Sequence, residues 1–293
     1  MQFDNWGAPR WANHLTQLLN AANPPNRYRF DLKTLAIEFS QSAFPEDPIV
    51  AVKEDALDGF EGALLPSESG KRWGILYAAD RSPGRQRFTV AHELGHYLLH
   101  RRARPEGFRC GEAAVDARDG IQIEREANDF AATLLMPLDD FRLQLPPKEM
   151  SNFERLSACA ERYDVSLAAV VLRWLRYTDR RSMIVVSRDG FIKWAWSSEP
   201  ALKSGRFFRT SGGPIELPAA SAAGRETYSD EAKAGIERSP GIWFDEKCCE
   251  MTVRSAKFDL TYTLLHFGAQ DRSPAHDAGE TTEDTYDRFI AIR

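Results

Sequence analysis

The expected architecture of this chain follows from the segment Phe88-Thr89-Val90-Ala91-His92-Glu93-Leu94-Gly95-His96-Tyr97-Leu98-Leu99-His100. Its apolar residues recur at three- and four-residue spacing, which predicts a helix, and the Ser-Pro pair at 82–83 is a start signal. Residues four apart share one face of a helix, so His92 and His96 can direct two imidazole nitrogens to one metal ion. Glu93 would lie beside that ion. The HExxH pattern therefore predicts a zinc site in which Glu93 is the catalytic carboxylate.

The alternative interpretation is a buried amphipathic helix whose two histidines only contribute to packing. The chain has 6 histidines in 293 residues. A chance HExxH pattern is expected at on the order of one in a hundred for a chain of this composition. The metal site is therefore the favoured interpretation.

A catalytic zinc ion normally takes three protein ligands and leaves one position open for water, so two histidines require a third partner. The segment 120–137 predicts a second helix, which its final proline ends. With about 100° per residue, Glu124 falls roughly 55° from the centre of the apolar arc and Glu126 roughly 105° from it. Glu124 is therefore the predicted third ligand. Asn128, one turn further on, is expected to orient a ligand.

Two roles at this site, the third metal ligand and the oxyanion donor, each have several candidate residues. If Glu124 is not the third ligand, the remaining candidates are Glu126, Glu112 and Asp116. The oxyanion that forms during attack on a carbonyl needs a hydrogen-bond donor besides the metal. The sequence offers three for that role: Tyr77, Tyr97 and His100.

The two blocks 88–100 and 124–137, taken in order, resemble the ImmA/IrrE family of metallopeptidases. The resemblance covers about residues 30 to 140. It implies zinc ligation by the two motif histidines and by the first Glu of an E-x-x-A-N segment. The implied residues are the metal ligands His92, His96 and Glu124 and the catalytic residue Glu93. Manganese or iron can replace zinc in the cell, because sites of two histidines and one glutamate accept several divalent ions.

The same resemblance implies a function. A family member is expected to be a zinc metalloendopeptidase that makes limited cuts in a regulatory protein, in stress response or mobile-element control. The expected substrate is a helix-turn-helix transcriptional repressor. Two other interpretations stay open: a DNA-binding regulator with a structural zinc site, and a sensor-type regulatory protein whose zinc site is vestigial.

The order of patterns predicts an α+β protein in three parts. Residues 1–145 are expected to form a zincin-like metallopeptidase domain. Residues 146–180 are expected to form a helix-turn-helix-like helical unit. Residues 181–293 are expected to form a β-rich region, in which 268–286 has almost no apolar side chains and is predicted to be mobile.

In the first part, a small sheet is expected to pack on the HExxH helix, with an earlier helix over 31–40. The strands are predicted from the apolar runs 49–52, 60–65 and 73–77. We expect the strand at 73–79 to be the edge that holds an extended peptide substrate, because strand addition derives its affinity from the backbone.

The helix-turn-helix pattern covers 152–177. A helix that reads DNA needs basic and amide side chains at its start. Here the second helix opens with Leu167-Ala168-Ala169-Val170, and its arginines come late. A role in packing or protein contact is therefore favoured over direct DNA binding.

Beyond residue 180 the patterns predict strands. A hairpin is expected over 183–196, with further strands at 249–253 and 260–267 and a long loop over 200–240. Some relatives carry a sensor-like C-terminal module such as a GAF-like domain, and this region is a candidate for a similar one. A second metal site from Cys248, Cys249 and His266 is disfavoured, because adjacent cysteines lack the spacing of common zinc sites.

Composition excludes some classes of protein. The net charge of -5 gives no overall electrostatic reason to bind nucleic acid. The four cysteines form no spaced disulfide framework, so reduced thiols are expected. The sequence shows neither a signal segment nor an apolar run of membrane-spanning length, which predicts a cytoplasmic protein without membrane contact.

Overall fold

The computed structural model describes residues 6–22, 27–110 and 118–269. The helices of this part of the chain are α1 (Ala8–Ala22), α2 (Leu32–Ala43), α3 (Pro83–His100), α4 (Arg118–Leu135), α5 (Leu138–Gln144), α6 (Phe153–Tyr163), α7 (Leu167–Leu175), α8 (Glu199–Lys203) and α9 (Asp230–Ala234). The strands are β1 (Ile49–Asp55), β2 (Gly62–Pro66), β3 (Trp73–Ala78), β4 (Phe108–Cys110), β5 (Ser182–Arg188), β6 (Phe191–Ser197), β7 (Ile215–Glu216), β8 (Ile236–Arg238), β9 (Cys248–Ser255) and β10 (Leu260–Phe267). Mixed helices and sheets confirm the predicted α+β class.

The described residues form two compact units. The first comprises 6–22, 27–110, 118–141 and 160–166, and the second comprises 142–159 and 167–269. The predicted division into 1–145, 146–180 and 181–293 stays a prediction. Most of the segment predicted to be mobile, 270–286, lies outside the described residues.

The first unit contains a mixed sheet with the strand order β1-β3-β2-β4. β1 runs parallel to β3, whereas β2 runs antiparallel to both β3 and β4. Alternate residues of β3 are buried, beginning with Trp73, Ile75 and Tyr77. One face of this strand therefore points into the core, as the apolar pattern predicts.

The prediction that residues 73–79 form an edge strand is wrong. β3 lies inside the sheet, with β1 on one side and β2 on the other. Among the described strands, the edges are β1 and β4. Side-chain periodicity reports which face of a strand is buried, but it carries no information about which strands lie on either side.

Helix α3 has the predicted start at Ser82 and Pro83. Ser82 occupies the N-cap position, but its side chain makes no capping hydrogen bond. Its carbonyl oxygen accepts instead from the backbone N–H groups of Arg85 and Gln86, each at 2.9 Å. The proline at the first helical position needs no such acceptor, because it has no N–H.

Helices α3 and α4 pack closely at Gly95, the glycine of the HExxH motif. A Cβ added there would lie 3.0 Å from Phe130 Cδ1 and 3.2 Å from Ala127 Cα. A larger residue would push α4 away from α3. Gly95 therefore lets the helix that carries Glu124 approach the helix that carries the histidines.

Two helices of the first unit, α1 and α5, were not predicted from the sequence. Asp140 of α5 is nearly buried and accepts from Arg162 Nε at 2.7 Å and from the Tyr163 hydroxyl at 2.5 Å. Burial would raise the pKa of the Asp140 carboxyl, but these hydrogen bonds outweigh it and lower the pKa. A charged carboxylate thus connects α5 to the end of α6.

Helices α6 and α7 fall where the helix-turn-helix pattern predicts them. Asp164 in the turn has a left-handed φ of 53°. In α7, Arg173 is 7 % exposed, and Trp174 beside it is fully buried. One of the two late arginines of the helix-turn-helix pattern is therefore buried, and the preference for protein contact over DNA binding stays a prediction.

The second unit contains an antiparallel sheet with the strand order β7-β6-β5-β10-β9-β8. The predicted hairpin is β5 and β6, and its turn residues Asp189 and Gly190 have φ of 51° and 80°. Positive φ at both central residues suits a tight hairpin. The predicted loop over 200–240 is only partly irregular, because it also supplies α9 and the edge strands β7 and β8. These elements are too short to show a periodic pattern.

His266, considered for a second metal site, has hydrogen-bond partners at both ring nitrogens. Its Nδ1 lies 2.8 Å from Ser182 Oγ, and its Nε2 lies 2.9 Å from the carbonyl oxygen of Ser151. Burial lowers the pKa of His266 to about 4. A neutral ring that accepts at Nδ1 and donates at Nε2 is therefore a structural group of this sheet.

Candidate metal centre

Three predicted side chains converge between α3 and α4. His92 Nε2 and His96 Nε2 lie 2.9 Å apart. The Glu124 carboxylate lies 3.1 Å from His92 Nε2 and 3.3 Å from His96 Nε2. Among the described residues, these three form the one group of histidine, cysteine or acidic side chains that could hold a metal ion. Two imidazole nitrogens and a carboxylate oxygen form a donor set that suits zinc.

The three side chains of the cluster shift one another's pKa values. Burial would lower the pKa of His92, but the hydrogen bond with Glu124 and its charge raise it. Burial would raise the pKa of Glu124, but hydrogen bonds with His92 and His96 keep it well below its usual range. Burial also lowers the pKa of His96 to about 4, with a further contribution from His92. A charged carboxylate and a neutral imidazole are the forms that bind metal.

Residues around the cluster restrain the rings of the two histidines. Asn128 Oδ1 lies 3.1 Å from His92 Nδ1, so the predicted contact of Asn128 with a ligand is present. Since an amide oxygen only accepts, the ring donates through Nδ1 and keeps the lone pair of Nε2 for a metal. Phe108 of β4 stacks on the His96 ring, with 4.2 Å between ring centroids and 18° between planes.

The alternative third ligands differ in their placement. Glu126 is directed to other partners: its carboxylate lies 3.1 Å from His100 Nε2 and accepts from Gln122 Nε2 at 2.8 Å. Glu112 and Asp116 lie outside the described residues.

The three candidate oxyanion donors are engaged away from the metal ligands' Nε2 atoms. The Tyr77 hydroxyl accepts from Lys33 Nζ. The Tyr97 hydroxyl donates to the carbonyl oxygen of Asp47 at 3.0 Å, and burial raises the pKa of Tyr97 above its usual range. His100 contacts His96 through Nδ1 rather than through the face that the two ligands share. None of these contacts supports an oxyanion role.

Glu93 is fully buried, and the backbone of β2 lies against it at Gly62. A Cβ added to Gly62 would lie 2.5 Å from Glu93 Oε1 and closer still to Thr89 Cγ2. Both atoms belong to the ends of side chains on α3. An added methyl group must therefore displace the Glu93 carboxylate and the Thr89 methyl group. Sequence patterns did not single out Gly62, because its neighbour Glu93 is distant in the chain.

We expect Gly62→Ala to lower peptide cleavage strongly while zinc affinity stays within about twofold of wild type. The added methyl group pushes the Glu93 carboxylate away, and the three nearest atoms that it meets belong to Thr89 and Glu93 rather than to the three candidate ligands. A shift of about 1 Å at a catalytic group can cost on the order of 10²-fold in rate. Cleavage rates and zinc affinity of the variant measure the two effects.

Gly74→Ala is the matched control on the neighbouring strand. Its Cβ would meet only the carbonyl oxygen of Ala51, at an ordinary 3.9 Å. We expect this variant to cleave at the wild-type rate. Equal activity of both alanine variants would contradict the role given to Gly62.

An HExxH helix packed on a small mixed sheet, with a carboxylate from a second helix beside the histidines, is the arrangement typical of zincin-type metallopeptidases. Residues 46–175 match the family model described as the IrrE N-terminal-like domain, a peptidase family. The matched segment is therefore similar to that family, as the resemblance of the two motif blocks predicts.

Other comparisons add little. A solved structure of a Mycobacterium tuberculosis transcriptional regulator aligns with 86% of this chain and 75% of its own, at 13% identity and a TM-score of 0.46. A likeness at this level carries no inference about function. Comparison with curated proteins finds no significant match. In the described part of the chain, every helix is too short or too polar to span a membrane.

Proposed function

We propose that this protein is a zinc-dependent endopeptidase that makes limited cuts in a regulatory protein. The observation that carries this proposal is the convergence of His92, His96 and Glu124, with Glu93 one residue along α3. A site of two histidines and one glutamate suits zinc, and manganese or iron can take its place.

Hydrolysis at this site divides the work between the metal and the protein. A zinc ion held by the three ligands would lower the pKa of a water molecule and polarise the carbonyl under attack. Glu93 takes a proton from that water as its oxygen bonds to the carbonyl carbon. Glu93 then gives the proton to the nitrogen as the C–N bond breaks, so that an acid and an amine result.

Among the described strands, the edge strand that contacts a candidate metal ligand is β4, whereas the sequence predicted an edge at 73–79. Within the described residues, β4 pairs with β2 alone, and its Phe108 stacks on His96. An extended peptide added along β4 would therefore pass beside the metal ligands. Backbone pairing would hold the peptide whatever its side chains are.

The family resemblance supports a helix-turn-helix transcriptional repressor as the substrate. Such a substrate would place the protein in the cytoplasm and in stress response or mobile-element control. The start of α7 offers no basic or amide group for base edges, which favours regulation by cleavage over direct DNA binding.

A proteome-derived peptide library tests the activity without knowledge of the substrate. Zinc-loaded protein is expected to create new peptide N-termini at a few sequence contexts. These products should disappear after treatment with a chelator and return when zinc is restored. Cleavage that persists without metal, or the absence of cleavage by the loaded protein, would contradict the proposal.

A further inference from the structure

The histidine face of α3 continues for one more turn beyond the metal ligands. His100 is 6 % exposed, and its Nδ1 lies 3.1 Å from Nδ1 of His96. On its other side, His100 Nε2 lies 3.1 Å from Glu126 Oε2. Glu126 in turn accepts from Gln122 Nε2 at 2.8 Å through its second oxygen. Three side chains thus connect His96 to α4 by a path that avoids Glu124.

The proton positions along this path follow from the role of His96. If Nε2 of His96 offers its lone pair to a metal, the ring carries its proton on Nδ1 and donates it towards His100. His100 must then accept at Nδ1, so its own proton lies on Nε2. That proton points at a carboxylate oxygen, which can only accept when ionised. Each contact is satisfied by one arrangement of protons.

We propose that His100 and Glu126 are positioning residues that set the tautomer and the orientation of His96 for metal binding. This inference rests on the proposed metal site. The stacked Phe108 ring restrains the plane of the imidazole, and the contact with His100 restrains its rotation within that plane. His92 receives the equivalent restraint from Asn128 through a single contact.

The arrangement also accounts for the placement of Glu126. The side chain of Glu126 is 40 % exposed, whereas that of Glu124 is 19 % exposed. A carboxylate at the end of the path stabilises the chosen tautomer of His100 without entering the ligand cluster. Contacts of this kind typically change metal affinity by about 10- to 100-fold when they are removed.

The test compares two substitutions of His100 in the full chain. His100→Leu removes both ring nitrogens and is expected to weaken zinc binding by about 10- to 100-fold. His100→Gln keeps an acceptor and a donor on a side chain of similar length, so it should recover most of the affinity. Zinc affinity is measured by competition with a chelator, and the visible absorption of cobalt-substituted protein reports the ligand geometry.

A control variant at His14 and a second pair of variants at Glu126 complete the test. His14→Leu is the control, because His14 lies on α1 among aromatic rings. If His100→Leu does not fold, Glu126→Leu against Glu126→Gln asks the same question at a more exposed position. The glutamine variant should then bind zinc more tightly than the leucine variant.

The results distinguish failure of the positioning role proposed for His100 and Glu126 from failure of the metal site itself. If His100→Leu or Glu126→Leu binds zinc with wild-type affinity and shows an unchanged cobalt spectrum, the proposed positioning role is wrong. Equal losses in the glutamine and leucine variants would also overturn it, because packing alone would then explain the effect. If wild-type protein binds no zinc, or if His92→Ala leaves binding unchanged, the proposed function itself fails.

Discussion

Glu93→Gln is expected to abolish peptide cleavage while zinc binding stays at the wild-type level. Glutamine has nearly the same shape as glutamate, so the buried contact with Gly62 is retained. An amide cannot take up the proton of the attacking water, and loss of a general base typically costs about 10²- to 10⁴-fold in rate. Initial rates of cleavage and the zinc content of the purified variant are the two measurements.

Glu38→Gln is the control for this substitution. Glu38 lies on the exposed side of α2 and carries the same charge, so its removal should leave cleavage unchanged. Unchanged cleavage by Glu93→Gln would show that Glu93 is not the general base. A helix-turn-helix repressor, the substrate class that the family resemblance implies, is the second substrate to test, and any cut in it should show the same dependence on Glu93.

Glu124→Ala is expected to lose zinc and, with it, all cleavage. Loss of one of three protein ligands should weaken zinc binding on the order of 100-fold or more, because the apparent binding free energy, about 10–16 kcal/mol in structural zinc-finger peptides, is shared among only a few ligands. The variant also leaves His92 and His96 without their carboxylate partner. Metal analysis of purified protein and competition with a chelator measure the loss, with Glu38→Ala as the control.

The result also decides among the candidate ligands. Intact zinc affinity in Glu124→Ala would rule out Glu124 and direct the search to Glu126, Glu112 and Asp116. Together the two glutamate variants separate binding from chemistry, because one should keep the metal without activity and the other should lose both.

The two motif helices show which features of a site local periodicity can predict. The four-residue spacing of His92 and His96 and the angle of Glu124 from the apolar arc follow from the geometry of a single helix. The structure brings these three side chains together. The side chains converge because each helix buries one face, and the buried faces of α3 and α4 meet at Gly95.

Contacts between segments that are distant in the sequence could not be predicted from local patterns. In the four-stranded sheet, β3 lies inside and β4 lies at an edge, whereas the sequence predicted that residues 73–79 form an edge strand. The contacts of Gly62 with Glu93 and of Phe108 with His96 join residues that share no periodic pattern.

Local sequence patterns were enough to predict which helices carry the candidate donor atoms and which family the order of the motifs indicates. Only the tertiary structure decided what surrounds those donors, from the glycine that leaves room for Glu93 to the path from His96 through His100 to Glu126. Helical geometry is local, so spacing reveals it. Neighbours across a sheet or between helices are chosen by packing of the whole unit, which no single stretch of sequence encodes.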